Sequence, residues 1–195
     1  MRSVLAASVL LALAGCAADA ASESDPESVV GAFEQVDGSD VLRAELRTEG
    51  SGDYTASVRG GRATVSTNVL FYDVSSREGR WLFPDSERTI LQTTELRDST
   101  RVRAFLYVVT DEDSDGDGYL GNGDVQTIAV SDPEGRRLVR LAEGATRVRQ
   151  SVRLDDDTVL VLFDAGGAVR AVEVNLDALE VEAQVTMPEP PGPEA

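Results

Sequence analysis

Beyond residue 68 the chain is a succession of short apolar runs, at 69–74, 81–83, 102–110, 125–130, 138–141, 158–163, 169–176 and 181–185. Between them stand Ser131-Asp132-Pro133-Glu134-Gly135, Leu154-Asp155-Asp156-Asp157 and Asp164-Ala165-Gly166-Gly167. Runs this short, rich in β-branched residues and closed by turn formers, predict strands joined by hairpins. The fold class that follows is mainly β, built of antiparallel meanders. Residues 169–174 alternate with one displacement, as a half-buried strand does, whereas 158–163 is apolar throughout, as a strand buried on both faces would be. Residues 50–62 are glycine-rich and weakly patterned, which predicts a mobile loop or an irregular edge hairpin.

One short N-terminal helix is also expected. Asp25-Pro26-Glu27 has the form of a helix start, with a capping carboxylate, proline at the first helical position and acidic charge at the positive end of the dipole. Val29, Val30, Phe33 and Val36 follow at helical spacing, and Gly38 would end the helix. At the far end Pro188, Pro190, Pro191 and Pro193, with Glu189 and Glu194, predict a disordered tail over 188–195. What lies between, 25–187, suits a single domain.

A faint repeat runs through this domain. Val69-Leu70-Phe71-Tyr72-Asp73 with Gly79-Arg80-Trp81-Leu82 parallels Thr127-Ile128-Ala129-Val130 with Gly135-Arg136-Arg137-Leu138. The stretch from Ile128 to Leu138 resembles the strand-turn-strand unit of TolB-type β-propeller repeats. That resemblance implies three blade-like four-stranded units, at 41–84, 89–142 and 147–186. Propellers carry about four to eight blades, so the meanders are expected to be partial propeller-like or sandwich-like.

The first residues bear on compartment. Arg2, an apolar stretch over 4–12 and then small residues have the layout of an export signal, too short to span a bilayer. Leu13-Ala14-Gly15-Cys16 resembles the lipobox of bacterial lipoproteins, and Cys16 is the sole cysteine of the chain. The resemblance implies a signal peptide over 1–15, lipidation of Cys16 and a tether over 16–24. Ala17 after the cysteine is similar to lipoproteins that Gram-negative cells send to the outer membrane. The implied place is the cell envelope, with the membrane reached through the lipid anchor. Several acyl chains hold a protein firmly, since each buried methylene contributes about 0.8 kcal/mol.

The chain has 18 basic and 35 acidic side chains and a net charge of −17. Nucleic acid is thereby excluded as a partner, and cations or basic protein surfaces are favoured. Histidine is absent, as is lysine. Serine–histidine and cysteine–histidine catalysis and the usual zinc sites therefore fall away, leaving carboxylate, arginine, tyrosine or serine chemistry.

One constellation has a chemistry of its own: Asp113-Ser114-Asp115-Gly116-Asp117-Gly118-Tyr119-Leu120-Gly121-Asn122-Gly123-Asp124. Hard cations take oxygen ligands, and aspartates at alternate positions aim three carboxylates at one point. The segment resembles the twelve-residue EF-hand calcium loop, and its final aspartate is similar to dockerin-type loops. The resemblance implies Ca²⁺ held by Asp113, Asp115, Asp117, the Tyr119 carbonyl and Asp124, with Gly118 at the sharp turn. Here the flanks, 102–110 and 125–130, read as strands, so the ion would staple a hairpin rather than open a helix pair.

Elsewhere, Trp81 with Phe83 reads as core at a strand end, Asp155-Asp156-Asp157 as a turn, and Arg101 with Arg103, or Arg147, Arg149 and Arg153, as a solvated strand face, with a basic patch for anionic ligands as the alternative. The leading functional reading is a non-catalytic, membrane-anchored scaffold that binds an envelope protein. The alternative is a calcium-dependent hydrolase or lyase acting on glycans through carboxylates. A third is an accessory subunit that completes a sheet by oligomerisation.

Overall fold

The computed structural model describes residues 28–49 and 64–188. The expected signal, Cys16 and its tether, the start of the expected helix, the glycine-rich segment 50–62 and the tail from 189 onward lie outside the described residues.

The fold is mainly β, in two antiparallel sheets. The first holds β1 (Ser28–Val30), β2 (Glu34–Gln35), β3 (Val41–Glu49), β4 (Thr64–Asp73) and β5 (Glu78–Trp81), in the order β1-β3-β4-β5 with β2 also on β3. The second is a seven-stranded meander of β6 (Thr89–Arg97), β7 (Val102–Thr110), β8 (Gln126–Ser131), β9 (Leu138–Arg153), β10 (Thr158–Ala165), β11 (Ala168–Asn175) and β12 (Glu180–Thr186).

The expected N-terminal helix is not formed: among the described residues there is no helix. Instead β1 and β2 lie along one edge of β3, and between them the Gly31 N–H donates to the Glu45 carbonyl at 2.8 Å. Helical spacing had suggested one buried face, but of its four apolar residues only Val36 is buried, and Val29, Val30 and Phe33 are exposed. Adjacent β-branched valines and a glycine favour extended chain. The open edge of β3 supplies hydrogen-bond partners that an isolated turn of helix does not have.

The sheets also divide the chain differently from three units of four strands. Units 89–142 and 147–186 are one sheet, because β9 runs unbroken through the intended boundary. Its first half pairs with β8 and its second half with β10, and Ala145 alone faces both, opposite Gln126 and Ala165. Gly144, at φ 74°, sits at this crossover. A strand shared in halves between its neighbours, with register shifts on both sides, turns the sheet through a corner. The sequence signal at 142–147 is thus a bend within a strand.

That bend explains the core. Leu96, Leu106, Ile128, Val161, Phe163 and Val172, from five strands of the seven-stranded sheet, form one buried cluster with no residue from the first sheet. A single face can bury itself only by curling, so this sheet is a half-barrel closed on its own side chains. Its opposite face, at β6 and β7, takes the first sheet. Phe71 meets Phe105 edge-on with ring centroids 5.9 Å apart, and Phe83 meets Tyr107 at 6.5 Å. β7 is therefore buried along its whole length, whereas β10, expected to be buried on both faces, alternates between buried and half-buried positions.

Asn68, only 2% exposed, locks the approach to β6. Its carboxamide donates to the carbonyls of Phe83 at 3.0 Å and Asp85 at 2.8 Å, and accepts from the N–H groups of Val69 and Phe83. All four of its polar positions are used. Trp81, read as core, is 44% exposed; Phe83 is the buried aromatic of that pair.

Candidate metal centre

The acidic loop connects β7 to β8, whose register from Phe105 opposite Ser131 to Val109 opposite Thr127 makes them a hairpin. Thr110, fully buried, closes the neck by donating its hydroxyl to the Val125 carbonyl at 3.1 Å. The loop thus projects from a rigid strand pair and not from a helix pair.

Within it, each aspartate side chain turns back on the following backbone, as short acidic side chains do. Asp113 accepts the N–H groups of Gly116 at 2.8 Å and Gly118 at 2.9 Å, Asp115 that of Asp117 at 3.1 Å, and Asp117 that of Tyr119 at 2.9 Å. Gly118, at φ 89°, takes the left-handed conformation that the sharp turn at this position requires. The outcome is convergence. Carboxylate oxygens of Asp113, Asp115 and Asp117 lie within 4.8 Å of one another, all three residues exposed. Three like charges this close repel unless a cation shares them, and oxygen donors at such spacing fit a hard divalent ion.

Asp124 stands differently. It is 2% exposed and outside that triad. Its Oδ1 accepts the N–H groups of Ser114 at 2.6 Å and Asp115 at 3.3 Å, and its Oδ2 accepts that of Gly121 at 2.7 Å. The hydrogen bonds from Gly121, Ser114 and Asp115 hold its carboxyl below the ordinary carboxylate value, against the opposing effect of burial. Asp124 nonetheless borders the same open depression, about 280 Å³, as Asp115, Asp117 and Tyr119. The five expected positions are therefore neighbours, with Asp124 as a brace beside the triad.

Two residues at this loop were not singled out by sequence. Ser114 both donates to Asp124 and accepts the Val125 N–H at 2.8 Å, latching the two arms. Gly123 faces the Asp115 carboxylate so closely that a β-carbon there would fall 2.1 Å from Oδ2. A small hydroxyl residue after the first aspartate and a second glycine before the last are the only local signals of these roles.

At the opposite end of the sheet a second polar cluster corrects the reading of Arg103 as solvated. Its side chain is 8% exposed and binds Asp157 at 2.9 Å, Asp98 at 3.5 Å and Asp177, as well as the Asp156 carbonyl at 3.1 Å. Three turns of the seven-stranded sheet are pinned by one guanidinium. Arg101 is exposed, as expected.

No family model and no curated protein matches this chain. Among solved structures it is similar to the β-propeller domain of the Trilobed protease from Pyrococcus furiosus, described as having an open velcro topology, with a TM-score of 0.41 and 12% identity. The match covers 83% of this chain and 43% of that one, so the chain spans less than half of its neighbour's length.

Proposed function

We propose that this chain is a lipoprotein of the cell envelope, anchored through Cys16 in the outer membrane of a Gram-negative bacterium. In this reading Ca²⁺ staples the β7–β8 hairpin of a non-catalytic, propeller-like β domain that presents a surface to an envelope protein. The observation that carries the metal is the convergence of Asp113, Asp115 and Asp117 within 4.8 Å, on a loop whose backbone is already shaped by its own carboxylates. Oδ2 of Asp124, with one strong N–H partner, keeps a lone pair for the ion, and the Tyr119 carbonyl would complete the set. Outside the cytoplasm a dissociation constant of about 10⁻⁴ to 10⁻³ M is enough for occupancy.

The deciding experiment is calcium titration calorimetry on the full chain, with melting curves, beside an Asp113→Ala/Asp117→Ala double variant. Saturable binding with a raised melting temperature, both lost in the variant, supports the reading. Absence of heat in the parent chain overturns it. The anchor is tested separately by incorporation of labelled fatty acid, expected in the parent and absent in Cys16→Ser.

A further inference from the structure

The first sheet has one face whose side chains carry no charge. Adjacent residues of a strand point to opposite faces. Phe71 points into the core against Phe105, so Leu70 and Tyr72 on either side of it point outward. The register extends this into rows: Ala44, Leu70 and Trp81 stand side by side across β3, β4 and β5, and Leu42, Tyr72 and Gly79 form the next row. A β-carbon at Gly79 would meet Leu70 Cδ1 at 3.6 Å and Tyr72 Cδ2 at 3.9 Å, which sets Gly79 on that same face. Leu46, with its β1 partner Val30, continues the face to the edge of the sheet.

None of these residues belongs to either buried core cluster. Leu42, Leu46, Leu70 and Tyr72 are half-buried, and Val30 and Trp81 are 39% and 44% exposed. In a chain of which 27% is charged, rows of aliphatic and aromatic side chains left outside the core mark a contact surface.

We propose that this face rests on a zwitterionic lipid surface, with Trp81 and Tyr72 at the headgroup level where amphipathic rings settle. The inference rests on the reading of Cys16 as the anchor. The described chain starts at Ser28, in the edge strand that carries Val30. From Cys16 to Ser28 even a fully extended chain reaches only about 40 Å, so acyl chains on Cys16 hold the edge of this face within that distance of the bilayer. Tethering makes the second contact an intramolecular one, and apolar burial supplies it without opposite charge. A second copy fits less well, because joining the two faces would bring together two bodies of charge −17.

Trp81 is the sole tryptophan of the chain and reports on the face directly. The test is its fluorescence in the full chain, lipidated and reconstituted in phosphatidylcholine vesicles. A blue shift is expected, together with quenching by lipid brominated near the headgroup. Val30→Asp/Tyr72→Asp places two charges on the face and should lose the quenching. If that variant fails to fold, Val30→Asp alone, at an exposed position, should still weaken it. Labelled fatty acid reports the anchor separately. On vesicles containing a maleimide lipid, Cys16 couples as the sole cysteine whether or not a cell acylates it, so the face is read even where the anchor reading fails. The proposal is overturned by unshifted, unquenched Trp81 in the tethered chain, by unchanged quenching in Val30→Asp, or by a blue shift that follows chain concentration without lipid, which would assign the face to a second copy.

Discussion

Oδ1 of Asp124 accepts the backbone N–H of Ser114 at 2.6 Å, joining the last residue of the acidic loop to its second. Because Oδ2 holds Gly121, one carboxylate fixes both arms. Removing it leaves several backbone donors without their charged acceptor, and a hydrogen bond to a charged group is worth about 1.5–3 kcal/mol. Asp124→Ala is expected to lower the unfolding free energy, measured by urea titration in chelator, by that order. Asp124→Asn keeps one acceptor oxygen and should fall between the two. An alanine variant as stable as the parent would show that the brace contributes nothing.

Gly123 answers to Asp115. A methyl at residue 123 would occupy the place of Asp115 Oδ2, and the cheapest relief is for that carboxylate to swing out of the triad. Gly123→Ala should therefore weaken calcium binding about tenfold while changing metal-free stability little, since only an exposed side chain moves. Calorimetry and melting curves read the two effects separately. Equal calcium affinity in the variant would show that Asp115 does not contribute to the ion.

Acid should loosen the turns before the core. The carboxyls of Asp73, Asp124 and Asp155 lie below 3.8 in the folded chain, lowered first by the N–H groups of Ser76, Gly121 and Asp157 respectively. A depressed folded value means that the unfolded chain takes up protons first, so this stabilisation is full above the unfolded value and lost as pH falls through the folded one. The melting temperature is expected to be level from neutrality to about pH 5 and to drop below about pH 4. A maximum in acid would contradict the sign.

Asn68 should be among the costliest polar residues to replace. Truncation orphans the Phe83 N–H and carbonyl, the Asp85 carbonyl and the Val69 N–H near a buried interface. Each unsatisfied buried group costs about 1–3 kcal/mol, with partial relief by water. Asn68→Ala is expected to destabilise by about 2–5 kcal/mol in chemical denaturation. Asn68→Asp should be no better, because it removes both donations and adds a charge.

Arg103 gathers Asp98, Asp157 and Asp177. Arg103→Met leaves those carboxylates to repel one another, but Asp157 and Asp177 are exposed and screened by solvent, so the variant should be destabilised by about 1–3 kcal/mol, the order of a lost hydrogen-bonded charge contact. Arg103→Lys retains charge without the fork and should recover part of the loss. If methionine matched arginine, packing of the stem rather than charge would be what β7 requires.

Much of the strand pattern was legible because turn chemistry is local. β7 has the bounds read from sequence, and β8, β10, β11 and β12 differ by a residue or two at their ends. β3 and β6 were not among the apolar runs, since charged and hydroxyl residues in Val-Leu-Arg-Ala-Glu-Leu-Arg-Thr-Glu and Thr-Ile-Leu-Gln-Thr-Thr-Glu-Leu-Arg dilute their signal. β1 and β2 read as helix because three apolar residues at helical spacing remain exposed on a sheet edge. The acidic triad was readable for the same reason as the turns: residues two apart in one loop cannot be far apart in space.

By itself, then, the sequence determined where the chain turns, that it is a β chain and that three aspartates share a loop, all consequences of side chains acting on their own neighbourhood. Only the tertiary structure decided that β9 bends through two halves of one sheet, that β7 rather than β10 is covered on both faces, and that Arg103 is enclosed by aspartates as distant as Asp177. Those depend on which surface lands on which, a sum over contacts between residues far apart in the chain, to which no local pattern is sensitive.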